Sequence, residues 1–346
     1  MNVRQTGWLA PFLTTLGLVL VAACSPAAQP AATTAPAPAP TTAPAAAKPA
    51  ATTAPAANTA PAATTAPAAA AKPSGPKPTV RVGSKNFTEQ LIVGEIVAQM
   101  LEDAGYTVER KLNLGGTAVV HQALTNGDVD TYVEYTGTGL LALLKLPQQN
   151  DPQAVFDTVK KEYESQFKLT WLKPWGFNNT YALALRSDKA TELGAKKVSD
   201  LKDKAANLTF GGTQEFLTRP DGLPGLEDTY GMKFKEGKGM DPGIMYQAVD
   251  GKQVDVISAF ATDGRIQGMN LVTLADDKQF FPPYFAAPVV RDDLLAKDPA
   301  IGDLLNKLAG KIDDKTMAGL NLKVDGDKQE PADVAKAFLK AQSLIK

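Results

Sequence analysis

The chain has one cysteine, Cys24, and one histidine, His121, in 346 residues. A single cysteine excludes any internal disulfide. With no cysteine after residue 24 and one histidine, the usual zinc ligands are nearly absent, and so are the partners of a Ser-His or Cys-His nucleophile. His121 falls inside the helical pattern TAVVHQALTNG, where packing or solvation accounts for it. No G-x-S-x-G elbow, P-loop or G-x-G-x-x-G fingerprint is present, and no metal or cofactor is expected. Scattered Asp and Glu leave a hydrolase built on a carboxylate pair as the one enzyme class not removed by composition. Charge of one sign is also lacking: 36 basic residues face 37 acidic ones, with no basic run, which argues against a nucleic-acid partner.

Long apolar runs are missing too. The one stretch of note, PFLTTLGLVLVAAC, follows a lone Arg4 and is too short for a membrane span, so residues 1–24 are expected to be an export signal. Its ending, VAAC, resembles the lipobox of bacterial lipoproteins, which implies acylation of Cys24. From Ser25 to Pro78 the sequence is almost only Ala, Pro and Thr, with TTAPA recurring and no acids or aromatics. Such a stretch cannot bury enough apolar surface to offset its ordering entropy. It is expected to be an extended tether, on the order of 150 Å at full reach, that holds the folded part off a membrane. The first 78 residues hold four basic and no acidic residues, leaving 32 basic against 37 acidic in the remainder.

Residues 79–346 suffice for two modest lobes or one large domain. TVRVGSKNFTEQLIVGEIVAQMLEDAG predicts a strand to Gly83, a polar loop and a helix. Asn86 with Glu89, or Thr88 itself, is the expected N-cap, and Ile92, Ile96 and Met100 form the buried stripe. YTVERKLNL and a helix from about Thr117 follow, an order that predicts an α/β domain with a largely parallel sheet. VDTYVEYTGTG (129–139) alternates as a half-buried strand and breaks at Tyr135 into the turn Thr136-Gly137-Thr138-Gly139. QALTNGDVDTYVEY (122–135) aligns without gaps to QAVDGKQVDVISAF (247–260), pairing Asp130 with Asp255 and Tyr135 with Phe260. This repeat predicts two similar lobes. Ligands of open α/β sheets bind beyond the carboxyl ends of the strands, so Tyr135 and Phe260 are expected on opposite walls of one cleft.

VGSKNFTEQLIVGEI, LNLGGT, EYTGTG, PWGFNNTYAL, TRPDGLPGLEDTYGMKF, FATDGRI and FFPPYFAAPVVR occur in this order. Together they resemble the substrate-binding proteins of quaternary-amine ABC importers, which take up glycine betaine, carnitine and choline. The resemblance covers essentially all of 79–346. It implies the type II periplasmic-binding-protein fold, with two α/β lobes joined by a two-crossing hinge around a ligand cleft. Lobe 1 would be 79–178 plus 287–346, and lobe 2 would be 179–286. It also implies an aromatic cage of Tyr135, Tyr181, Phe260 and Tyr284 around a trimethylammonium head. Lys85 and Arg219 would grip a carboxylate, helped by the Thr138 hydroxyl. Phe260 stands where the family usually has tyrosine, so the ring face stays and a hydroxyl is lost.

The chemistry is coherent. A quaternary nitrogen has no N–H to donate, so ring faces are its effective partners, at about 0.5–2 kcal/mol each once desolvated. A ligand carboxylate needs charged donors instead. The expectation is a monomeric, lipid-tethered receptor outside the cytoplasmic membrane that catalyses nothing and delivers solute to a membrane permease with a separate ATPase. The alternatives are the same fold with another solute (choline, ectoine or an amino acid) and, less favoured, an exported hydrolase or a purely structural lipoprotein. A primary amine would call for carboxylates in the cage, and none is among the residues named above.

Overall fold

The computed structural model describes residues 76–346. The expected signal at 1–24, its Cys24 and the tether up to residue 75 lie outside the described residues. Among those described, no helix is long and apolar enough to cross a membrane.

Among the described residues, ten strands form two five-stranded sheets. The first contains β1 (Thr79–Gly83), β2 (Thr107–Lys111), β3 (Thr131–Tyr135), β4 (Leu169–Trp171) and β10 (Ala286–Arg291), in the order β2-β1-β3-β10-β4. The second contains β5 (Tyr181–Arg186), β6 (Thr209–Gly212), β7 (Glu236–Gly239), β8 (Val256–Phe260) and β9 (Leu271–Thr273), in the order β7-β6-β8-β5-β9. Parallel neighbours need crossover helices, and Thr88–Asp103 and Thr117–Asn126 supply them in the first lobe. The sheets are therefore largely parallel, as expected, with one reversed strand in each: β10 is antiparallel to β3 and β4, and β5 to β8 and β9.

The reversal follows from the path of the chain. β5 and β10 are the strands entered directly after crossing from the other lobe. They start at the cleft, where β8 and β3 end, and must run the opposite way. Tyr181 thus pairs with Phe260, and Ala286 with Tyr135. This is the two-lobed, type II binding-protein architecture.

The repeat is structural. Asp130 accepts the Arg81 N–H from β1 at 2.8 Å, and its counterpart Asp255 accepts the Thr209 N–H from β6 at 2.9 Å. Each carboxylate caps the donor of the neighbouring strand just before its own strand begins.

Two local expectations are corrected. All five residues of β3 are buried, not alternate ones. β3 is an interior strand between β1 and β10, so both its faces are covered. Val133 and Tyr135 join the core of the helix Thr88–Asp103, while Tyr132 packs with Val155, Val159 and Tyr163 of the helix Pro152–Phe167. The hydroxyl-rich turn after Tyr135 is a helical turn, Thr136–Thr138, that continues as a π-turn to Leu143. In contrast, Ile92, Ile96 and Met100 are buried as the stripe predicts.

Candidate functional site

The carboxyl ends of β3 and β8 face one cavity of about 220 Å³ between the lobes. All seven side chains expected to meet a ligand line it: Tyr135, Tyr181, Phe260, Tyr284, Lys85, Arg219 and Thr138. β3 and β8 deliver Tyr135 and Phe260 at their last residues, and β5 delivers Tyr181 at its first. Tyr284 comes from the second crossing, two residues before β10.

The rings form one chain. Tyr181 lies 5.4 Å from Phe260 and 5.5 Å, edge-on, from Tyr284. Phe87, from the loop after β1, stacks on Phe260 at 5.3 Å with planes 3° apart, and on Tyr135 at 6.3 Å. Tyr135 and Tyr284 donate their hydroxyls to buried carboxylates behind the site, Glu89 at 2.7 Å and Asp221 at 2.6 Å. Burial, and then those carboxylates, hold both phenols well above the usual tyrosine range. Burial pushes Tyr181 up to about 12. All three therefore stay protonated and neutral.

The two basic residues meet partners that motif reading did not anticipate. Lys85 Nζ lies 2.5 Å from Glu134 Oε1, with the two side chains 4% and 0% exposed. Glu134 also accepts from Tyr132 Oη at 2.8 Å and from the Tyr135 N–H at 2.8 Å. Arg219 binds Asp221 through two nitrogens, with Nε at 2.8 Å from Oδ1. A charge this deeply buried is costly unless paired, so each cation carries its own carboxylate into the site. Glu215 and Asp241, outside the seven residues expected to meet a ligand, also line the cavity.

The expected N-cap is corrected too. Phe87 occupies the N-cap of the helix Thr88–Asp103 and makes no side-chain cap bond. Glu89 is drawn inward to Tyr135, and Thr88 donates to Asp325 at 2.7 Å. The missed residues were not without signal. Phe87 and Glu89 lie two and four residues after Lys85, Glu134 directly precedes Tyr135, and Asp221 follows Arg219 by two. None betrays by composition that it joins the cavity wall, as Phe87 does, or the carboxylates behind it, as Glu89, Glu134 and Asp221 do.

A family profile described as the substrate binding domain of ABC-type glycine betaine transport systems matches residues 78–341. The chain belongs to this family. The chain is 41% identical over 266 residues to the carnitine transport binding protein OpuCC of Listeria monocytogenes, covering 76% of this chain and 86% of that one. It is 38% identical over 278 residues to a glycine-betaine-binding protein of Pseudomonas aeruginosa, covering 77% and 89%. A crystal structure titled as a glycine betaine/carnitine/choline ABC transporter matches with a TM-score of 0.64 and 33% identity over 77% of this chain and all of that one. These relatives bind solutes and are not enzymes.

Other candidates in the domain do not gather into a site. His121 packs edge-on against Tyr163 and Phe167 at 5.5 and 4.8 Å and does not line the cavity. Among the described residues, no group of His, Cys, Asp and Glu could hold a metal ion.

Proposed function

We propose that this chain is the extracytoplasmic receptor of an ABC importer and binds a small quaternary amine in the ring-lined cavity between its lobes. The observation that carries this reading is the convergence of five rings, Tyr135, Phe87, Phe260, Tyr181 and Tyr284, on one hollow whose walls come from both lobes. At about 220 Å³ the hollow is smaller than the roughly 300–1,000 Å³ typical of drug-sized ligands, which suits a solute of a few heavy atoms. Rings match a methylated cation because they supply π density and replace water without demanding an N–H.

The anionic end of a zwitterion would lie towards Lys85, Arg219 and Thr138. Since Glu134 and Asp221 already balance the two cations, this end is held by directed hydrogen bonds more than by net positive charge. Contacts from both lobes reach the solute together only in the closed form, so binding favours closure. The closed form then docks on a membrane permease driven by a separate ATPase, while lipid on Cys24 keeps the receptor near it.

A thermal-shift panel of glycine betaine, proline betaine, carnitine, choline and ectoine on residues 76–346 tests the reading. Saturable stabilisation by at least one methylated amine is expected. A shift with ectoine alone, or with none, refutes it.

A further inference from the structure

Glu89, the second residue of the helix Thr88–Asp103, is 3% exposed and accepts four hydrogen bonds from four parts of the chain. Tyr135 Oη reaches it from the end of β3 at 2.7 Å, and Asn179 Nδ2 from the first crossing at 2.8 Å. Asn321 Nδ2 reaches it from the helix Asp314–Asp325 at 3.0 Å, and Thr262 Oγ1 from the lobe-2 turn after β8.

The protons on these groups are arranged to receive Glu89 as an anion. Amide nitrogens have no lone pair to accept with. Tyr135 Oη already accepts from Gln90 Nε2 at 3.1 Å, so its own proton goes to Glu89. A protonated carboxyl would have to donate to the Thr262 hydroxyl, the one free acceptor among the four. Burial outweighs the four donors, which oppose it, and raises the carboxyl's pKa above its usual range. Unlike Glu134 and Asp221, Glu89 has no basic side chain among these partners. When ionised, Glu89 is held only by neutral dipoles, directly behind a ring of the cavity.

We propose that Glu89 is the positioning residue and buried counter-charge of the ring site. Lys85 Nζ lies 5.2 Å from the Tyr135 ring centroid but is already paired with Glu134, so a ligand cation beside that ring supplies the charge that favours an ionised Glu89. The bond from Thr262 brings lobe 2 onto the same carboxylate, so the arrangement is complete only when the lobes have closed. The inference rests on the proposed function and adds the reason for charge selection: the site distinguishes a methylated nitrogen from a methylated carbon of the same shape.

The test uses the full chain and two matched pairs of probes: glycine betaine with 3,3-dimethylbutanoate, and choline with 3,3-dimethyl-1-butanol. Within each pair only the nitrogen charge differs. For whichever pair the wild type binds, Glu89→Gln should narrow the preference for the cation by about tenfold and leave the carbon analogue within about twofold. Thr262→Val removes only the lobe-2 bond. It should keep the preference and speed ligand dissociation several-fold in stopped-flow traces. Equal losses for both members of a pair in Glu89→Gln, or an unchanged preference, would reduce Glu89 to a structural residue and overturn the proposal. If Glu89→Gln does not fold, an unchanged dissociation rate in Thr262→Val overturns it alone. Wild-type protein that binds neither cation refutes the proposed function instead, before any variant is made.

Discussion

Tyr181 and Phe260 stand opposite each other in the β5–β8 ladder, with ring centroids 5.4 Å apart and planes 36° from parallel. The pairing is a consequence of topology. β5 starts at the hinge and β8 ends there, so the first residue of one meets the last residue of the other. Two walls of the cavity are thus fixed by backbone hydrogen bonds before any ligand arrives. Phe260→Ala should keep the ladder and weaken binding of quaternary amines by about 5–30-fold, the value of one desolvated ring. Phe260→Tyr keeps the ring face and adds a hydroxyl, and should hold the melting temperature within about 2 °C, by scanning calorimetry, as a substitution away from any strained feature. A collapse of folding in Phe260→Tyr would show a position too tightly packed to face a cavity.

Arg219 is 9% exposed and its carboxylate partner Asp221 is 2% exposed. Arg219→Ala strands that carboxylate with Tyr284 Oη as its remaining side-chain donor, which should destabilise the fold by about 3–5 kcal/mol, read by urea unfolding. Affinity for glycine betaine should fall much further than affinity for choline, which has no carboxylate. Equal losses in calorimetric titrations would contradict a role for Arg219 at the ligand's anionic end.

Gly137 is required by its neighbours. A Cβ built there would lie 2.8 Å from the Pro283 carbonyl oxygen and 2.8 Å from the Tyr284 ring. The helical turn after β3 thus packs directly on the second crossing and positions Tyr284. Gly137→Ala should cost about 1–3 kcal/mol by overpacking and lower ligand affinity as the ring is displaced. Wild-type affinity and stability would show that the crossing yields freely.

His121 is the only histidine, so its titration can be followed without ambiguity. Burial among aromatics lowers its pKa below the usual 6.5, with Glu134 opposing and Lys85 adding to the shift. A depressed base binds fewer protons folded than unfolded, so its contribution to stability is present above the unfolded pKa and is lost as pH falls through the window below 6.5. The imidazole proton resonance should titrate below 6.5. His121→Leu should flatten the change of melting temperature with pH in that window. A titration above 6.5 would contradict the packing described.

Much of this was legible in the residues because the repeat and the strand ends obey simple periodicities. Tyr135 and Phe260 close matching strands, and the polypeptide delivers such residues to the cleft by rule. Tyr181 and Tyr284 were reached only through resemblance, because their placement depends on crossings with no periodic signal. The burial of β3 on both faces was hidden because Asp130 and Glu134 mimic a solvated edge. Each is buried only because a distant basic side chain, Arg81 or Lys85, pairs with it across 49 residues. Glu89 was misread for a related reason. A carboxylate early in a helix suggests a cap, and nothing local indicates that donors from Tyr135, Asn179, Thr262 and Asn321 would claim it.

The central claim is that a permanently charged, methylated nitrogen is held by rings contributed from both lobes. A crystal structure of residues 76–346 grown with glycine betaine tests it most directly. The account predicts the nitrogen within about 6 Å of the ring centroids of Tyr135, Tyr181, Phe260 and Tyr284 at once. A ligand bound outside this hollow, or a nitrogen facing solvent with those rings turned away, would contradict it.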